Sequence, residues 1–189
     1  MTAPREITDQ SQARVPAPAI FRAAGLDVQI LPDAAWRASL QASMNLTALR
    51  KVRLAGQIAV IDGGLVLTAQ FGATVVQPCV VTLEPVQTRI EAPVRRTYLD
   101  NLPVPAGDEA EIPQDDSLEA LGPVIDLAEV LAEALSLNLP LYPRAAGAEL
   151  GQTIFTGDDA TPMTDEDTKP FAGLEALKSD LPEASGSDD

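Results

Sequence analysis

The middle of the chain shows apolar and polar residues alternating with a period of two. Every second residue from Val52 to Val60 is apolar apart from one glycine, as on a strand with one buried face. The sequence Asp62-Gly63-Gly64 follows, and glycine adopts the positive φ of a tight turn without a Cβ clash. The pattern predicts a β-hairpin whose return strand begins near Leu65.

Two further runs extend this hairpin into a sheet. The odd-numbered residues from Leu65 to Val75 are apolar or small. After a turn marked by Glu84-Pro85, the even-numbered residues from Val86 to Val94 form a third series, which is apolar apart from Thr88. We therefore expect an antiparallel meander of at least three strands over about residues 46–99, with one face packed and the other solvated.

A first helix is predicted over residues 31–43. Pro32 suits its first turn, and Trp36 and Leu40 are spaced to share one face. Trp36 is the only tryptophan, and we interpret it as a packing residue rather than a ligand-binding one.

A second helix is predicted after residue 126. Asp126 is suited to cap it, Glu129 lies at capping-box spacing, and Pro140 forbids its continuation. Its apolar residues recur at helical spacing, so we expect the helix to close over the apolar sheet face. They are Leu127, Val130, Leu131, Ala134 and Leu135.

These elements predict an α+β fold, an antiparallel β-sheet meander or partly closed barrel packed by one or two helices, with a disordered acidic C-terminal tail. Residues 1–18 are polar and contain proline, and they are predicted to be a flexible lead-in. Residues 19–150 are predicted to form a single domain with an acidic, Pro-rich loop at about 101–121. Residues 151–189 form the predicted tail, which contains the short amphipathic segment KPFAGLEALK at 169–178.

Charge divides the chain into two halves. Residues 1–96 hold ten Lys and Arg against seven Asp and Glu, whereas residues 97–189 hold three against twenty-one. The acidic half disfavours non-specific nucleic-acid binding and suits a basic partner. The N-terminal sequence lacks the apolar core of an export signal, and one cysteine cannot form an internal disulfide. We therefore expect a cytoplasmic location.

Catalytic chemistry has little support in the sequence. The chain has no histidine, no nucleophile with an evident base and no glycine-rich phosphate loop, so we predict a non-enzymatic protein without a cofactor. One cysteine is too few for a structural zinc site, and Cys79, in VVQPCVVTLEPV, is interpreted as a small buried packing residue. An alternative is a metal-dependent RNA-processing enzyme that uses Asp115 and Asp116 of the acidic loop.

Basic residues on the first and third predicted strands form a candidate binding set. The odd-numbered Arg89 and Arg95 project opposite to the apolar series, onto the solvated face. The set is either a solvated surface or a patch that contacts phosphates, and no aromatic residues interleave with it for base stacking. It comprises Arg50, Lys51, Arg53, Arg89, Arg95 and Arg96.

The order of these features resembles the YceD family of bacterial large ribosomal RNA subunit accumulation proteins. The resemblance spans about residues 20–178. It rests on Ile125-Asp126-Leu127 leading into LNLPLYP at residues 137–143, and on KPFAGLEALK, which is similar to the closing segment of the family. Family members commonly carry Cys-x-x-Cys at the strand turn and another cysteine after the LPxxP segment. This chain has Thr82 in the second position and RAAGAELG after Pro143.

The resemblance implies a role in the synthesis, processing or stability of 23S ribosomal RNA, hence in large-subunit biogenesis. It implies as partner an assembly factor, a ribosomal protein or pre-ribosomal RNA, with no membrane and no small-molecule substrate. The alternative of a direct RNA-binding module would use the basic set above. The predicted partner-docking segment consists of Lys169, Pro170, Phe171, Leu174, Leu177 and Lys178.

Overall fold

The computed structural model describes residues 4–102 and 117–149. Within these ranges the fold is mixed α+β, with a core that is mostly sheet and few helices. The strands are β1 (Arg5–Ile7), β2 (Arg14–Pro16), β3 (Leu26–Ile30), β4 (Ala48–Ile61), β5 (Gly64–Pro78), β6 (Pro85–Leu99), β7 (Leu118–Ala120) and β8 (Val124–Asp126). The helices are α1 (Ala17–Arg22), α2 (Ala34–Ser43) and α3 (Leu127–Asn138), with a 3-10 turn at Gln10–Ala13.

The predicted meander is confirmed as the centre of the main sheet. β4, β5 and β6 pair in antiparallel order, and Gly63 in the first turn has φ 72°. The full strand order is β1-β3-β4-β5-β6-β7, in which both outer strands run parallel to their neighbours. The partly closed barrel is not formed, since β1 and β7 end the described sheet without pairing to each other. β2 and β8 form a separate two-stranded sheet.

The core lies on one face of the main sheet. Side chains from β3 to β6 that point inward share one buried cluster with residues of all three helices. The predicted apolar stripe of α3 is buried, and the Asp126 side chain accepts hydrogen bonds from the backbone N–H of Ala128 and Glu129. α3 thus begins where a carboxylate satisfies its first donors and packs against β5 and β6.

The first predicted helix begins later than the sequence suggests. α2 starts at Ala34, and the Asp33 side chain accepts a hydrogen bond from the Trp36 backbone N–H at 2.8 Å. Pro32 therefore precedes the cap instead of lying in the first turn. Trp36 and Leu40 are both buried, as their shared face predicts.

The described part of the predicted flexible lead-in at 1–18, residues 4–18, is ordered. Residue 5 onward forms β1, the 3-10 turn and β2, and buries Ile7 and Val15 almost completely. Val15 pairs with Ile125 of β8, which is distant in sequence. The stabilising partner of a three-residue strand lies elsewhere in the chain, so local periodicity does not identify it.

The acidic loop predicted at about 101–121 is partly ordered sheet. β7 lies within it and runs parallel to the end of β6, with Leu118 opposite Thr97. Residues 103–116 and residues from 150 onward, which include the predicted tail at 151–189, lie outside the described residues. Among the helices of the described ranges, none has the length and apolar character needed to cross a membrane.

Candidate functional site

The candidate binding residues lie mainly on the face of the meander that points away from the core, here called the outer sheet face. Strand register aligns its side chains in rows across β4, β5 and β6. One row is Arg53, Gly72 and Glu91, and the next is Arg50, Thr74 and Arg89. A third, farther along the strands, is Gln57, Thr68 and Arg95.

Glu91 is the centre of a small ionic cluster on this face. Its carboxylate accepts hydrogen bonds from Arg53 Nη2, at 3.2 and 3.3 Å, and from the Arg89 guanidinium. The hydrogen bond from Arg89 is the main cause that holds the pKa of Glu91 below its ordinary value, and Arg53 adds to it. Gly72 lies beneath the cluster, where a Cβ would come within 2.8 Å of Arg89 Nη2 and of Glu91 Oε2. The cluster keeps one net positive charge.

A β-bulge brings Lys51 to the same end of the face. The register of β4 shifts between Arg50 and Arg53, and Lys51 has φ 50°. The Lys51 carbonyl accepts a hydrogen bond from Arg89 Nη1 at 3.3 Å. Such an irregularity re-aims side chains, and here it allows Leu49 and Val52 both to be buried while Arg50 and Lys51 are exposed.

The structure therefore brings four of the six predicted basic residues together: Arg50, Lys51, Arg53 and Arg89. Arg95 shares their face, but its row at Thr68 lies four β5 residues from the Arg53 row and six from the Arg50 row, or about 13–20 Å along a strand. Arg50, Lys51 and Arg95 make no ion pair with any residue in the described ranges.

Arg96 lies on the other face of β6, under α3. Its side chain is only 14% exposed, pairs with Glu133 of α3 and lies 3.7 Å from Glu119 of β7. It thus connects three elements of the fold. This position favours a structural contribution over contact with a polyanion.

The cysteine turn, residues 79–84, connects β5 to β6 at one end of the sheet. Cys79 is fully buried. Its sulfur accepts hydrogen bonds from the backbone N–H of Val81 and Thr82, both at 3.4 Å, and of Ala145 at 3.3 Å. The Val80 N–H donates to the Pro143 carbonyl at 2.9 Å. The turn is therefore attached to the segment that follows α3.

These contacts give Cys79 a larger role than that of a small packing residue. The Thr82 side chain is the main cause that lowers the pKa of the Cys79 thiol to about 6, and the backbone N–H of Ala145 and of Thr82 add to it, against burial, which raises it. A thiolate at neutral pH accepts hydrogen bonds more strongly than a thiol. The sulfur thus organises the turn and holds Ala145, while the Val80 N–H holds Pro143.

We predict that Cys79→Ala destabilises the protein more at pH 9 than at pH 6. The folded-state pKa is lowered to about 6, whereas a free thiol titrates near 8.5. The unfolded chain thus binds more protons between these values, and the contribution of the thiol to stability grows as pH rises and is lost as pH falls through about 6. Urea denaturation of both proteins at four pH values measures the difference. A constant difference across this range would contradict the assignment.

The residues at this turn do not fit a metal centre. Thr82 occupies the second Cys-x-x-Cys position, and the third cysteine position holds no thiol. The backbone donors that surround Cys79 Sγ are the N–H groups of Val81, Thr82 and Ala145, which do not ligate a cation. Within the described residues there is no group of three or more His, Cys, Asp or Glu arranged to hold a metal.

Sequence reasoning missed a group of exposed apolar side chains beside the cysteine turn, here called the apolar patch: Val80, Leu83, Leu141 and Tyr142. They are 49%, 77%, 84% and 77% exposed. Gln77 Nε2 also donates to the Pro140 carbonyl at 3.3 Å, so the two segments that carry the patch are held together. The uncharged run LNLPLYP is the sequence signal that could have indicated it.

The arrangement supplies binding surfaces, one cationic and one apolar. The predicted docking segment at 169–178 and the acidic pair Asp115 and Asp116 lie outside the described residues. Both therefore stay predictions.

Comparison with protein families gives a match over residues 67–178, to the family described as "Large ribosomal RNA subunit accumulation protein YceD". The match includes most of β5, all of β6, the cysteine turn, α3 and the apolar patch. It begins later than residue 20, where the resemblance in sequence begins. Comparisons with curated proteins and with solved structures return no match. The chain belongs to the YceD family of large ribosomal RNA subunit accumulation proteins.

Proposed function

We propose that this chain is a non-enzymatic cytoplasmic factor that promotes the synthesis, processing or stability of 23S ribosomal RNA in large-subunit biogenesis. The family match over residues 67–178 is the observation that carries the proposal. The surfaces support action by binding, because the exposed features of the sheet and the cysteine turn are cations and apolar side chains. The partner is an assembly factor, a ribosomal protein or pre-ribosomal RNA, and residues 169–178 add a docking segment.

Depletion of the protein is expected to lower the amount of large subunits relative to small subunits. The reason is that 23S RNA is a component of the large subunit. A shortage of it limits the assembly of large subunits and leaves small subunits unaffected. Sucrose-gradient profiles of ribosomal particles, with quantification of 23S and 16S RNA, measure the effect. Re-expression of the wild-type chain is the control, and unchanged profiles after complete depletion would refute the proposal.

A second candidate function is direct RNA binding through the outer sheet face. The observation that favours it is the juxtaposition of Arg50, Lys51, Arg53 and Arg89 at one end of an exposed sheet. Among the described residues, Glu91 is the acidic side chain that pairs with this group. Phosphates are attracted to such a concentration of cations. The acidic half of the chain opposes this attraction, so the affinity is expected to be modest and strongly dependent on salt.

For this candidate, Arg50→Gln with Lys51→Gln is expected to weaken RNA binding about tenfold at low salt. Two lost phosphate contacts should also reduce the slope of log K against log salt by about 1.4 to 1.8. Fluorescence anisotropy with a labelled 23S fragment measures both quantities. Arg22→Gln, at the exposed end of α1, is the matched control. Wild-type protein without RNA affinity at low salt would exclude this candidate and leave the protein-binding account intact.

A further inference from the structure

The apolar patch has the properties of a contact surface. Its four large side chains are between 49% and 84% exposed, whereas the apolar residues of the core are almost fully buried. Leu137, in the last turn of α3, is also 74% exposed. It adds another exposed apolar side chain to the segment that carries Leu141 and Tyr142. Isolated exposed leucines are common, but adjacent ones on two segments fastened to each other indicate an interaction site.

Leu83 adds an independent observation. Its backbone has φ 63°, in the left-handed region, which is strained for a residue with a Cβ and which glycine or asparagine adopts more readily. The backbone N–H of Leu83 donates to the Cys79 carbonyl at 3.0 Å, which holds this conformation. A leucine here is strained and contributes little burial, since it is 77% exposed. Packing within the described residues therefore does not account for a leucine at this position.

Charge determines which occupant fits. Residues 80–83 and 137–143 contain no charged side chain, and the charged residues that border them, Glu84 and Arg144, have opposite signs. The patch therefore offers phosphate no net positive charge, and nucleic acid is disfavoured. The whole chain carries a net charge of −15, so two copies repel each other, whereas a positively charged protein is attracted. The occupant with the best complementarity is thus an apolar segment on a basic protein.

We propose that Val80, Leu83, Leu141 and Tyr142 bind an apolar segment of a second, positively charged protein. The patch is separate from the outer sheet face, and its binding does not depend on a role in ribosomal RNA accumulation. Long-range attraction to the acidic chain accelerates encounter, and apolar burial at the patch holds the complex. The affinity of the patch for its partner should therefore fall less with rising salt concentration than the affinity of a cationic surface for a polyanion.

A purified system tests the chemistry of this site. The probes are two synthetic helices of about four turns, one with an apolar leucine stripe and lysines elsewhere, the other with serine in place of each leucine. The full chain is expected to bind the leucine helix at least about tenfold more tightly. Leu83→Asn and Leu141→Ser should each reduce that preference, while Val60→Ser, exposed but outside the patch, should not. Equal binding of both helices, or a preference that the patch variants retain, would overturn the proposal.

Leu83→Asn also separates binding from folding. Because asparagine tolerates positive φ, this variant should match or exceed the wild-type melting temperature while it binds more weakly. In cells, a photo-crosslinking amino acid in place of Tyr142 should form a crosslink to a basic protein. That protein, once purified, should bind the Leu83→Asn variant more weakly than it binds the wild-type chain. Crosslinks to RNA, to a second copy or to residues 169–178 of the same chain would each contradict the proposed occupant. None of these outcomes depends on the 23S RNA measurement.

Discussion

Gly56→Ala is expected to destabilise the protein by about 4 kcal/mol, since the new methyl group has no space. Gly56 lies in β4, and a Cβ there would be 2.2 Å from the Thr68 carbonyl oxygen and 2.4 Å from Ala69 Cα. Both atoms belong to the backbone of β5, the strand that pairs with β4 on one side and β6 on the other. Relief of the clash requires displacement of a central strand. This cost is a large fraction of the free energy of unfolding of a typical domain, about 5–15 kcal/mol.

Urea denaturation followed by circular dichroism measures this loss. The matched control is Gly122→Ala, because a Cβ at that residue would meet the Val124 carbonyl oxygen at an ordinary 3.6 Å. The control should change the free energy of unfolding by less than about 0.5 kcal/mol. A Gly56→Ala protein as stable as the control would show that β4 and β5 approach less closely than described.

Phe71→Ala is expected to lower the free energy of unfolding by about 3–5 kcal/mol. Phe71 is fully buried on the inner face of β5, with Leu54 of β4 and Ala92 of β6 opposite it in register. Its removal leaves a cavity in the cluster that joins the sheet to the helices. Because the same strands carry the outer sheet face, the variant should also lose cellular abundance and function together.

Phe71→Leu provides the comparison for this truncation. It keeps most of the apolar volume, so its cost should be clearly smaller than that of the alanine variant. Thermal unfolding of the three proteins measures the ranking, wild type above leucine above alanine. If alanine were tolerated as well as leucine, Phe71 would not be a core residue.

The meander and α3 were predictable because their signals are local and long. β4, β5 and β6 each span 14 or 15 residues, enough for a period of two to stand out from chance. α3 begins at a carboxylate cap and carries a complete apolar stripe. The short strands β1, β2, β7 and β8 are three residues each. These strands are stabilised by pairing with strands far along the chain. The local pattern of apolar and polar residues carries no information about such distant partners.

The candidate site was predictable in part for the same reason. Strand alternation places Arg89 and Arg95 on the solvated face, as the structure has them. The same parity places Arg96 inward, but its pairing with Glu133 depends on where α3 packs. The bulge at Lys51 and the apolar patch were missed, since a register shift and the exposure of Leu141 both arise from tertiary structure.

The central claim is that this chain promotes the accumulation of 23S ribosomal RNA. The most direct measurement is the ratio of newly made 23S to 16S RNA, by pulse labelling, in cells depleted of the protein and in the same cells re-expressing the wild-type chain. We predict that the ratio falls on depletion and returns with re-expression. A ratio that stays constant in the absence of the protein would contradict the account.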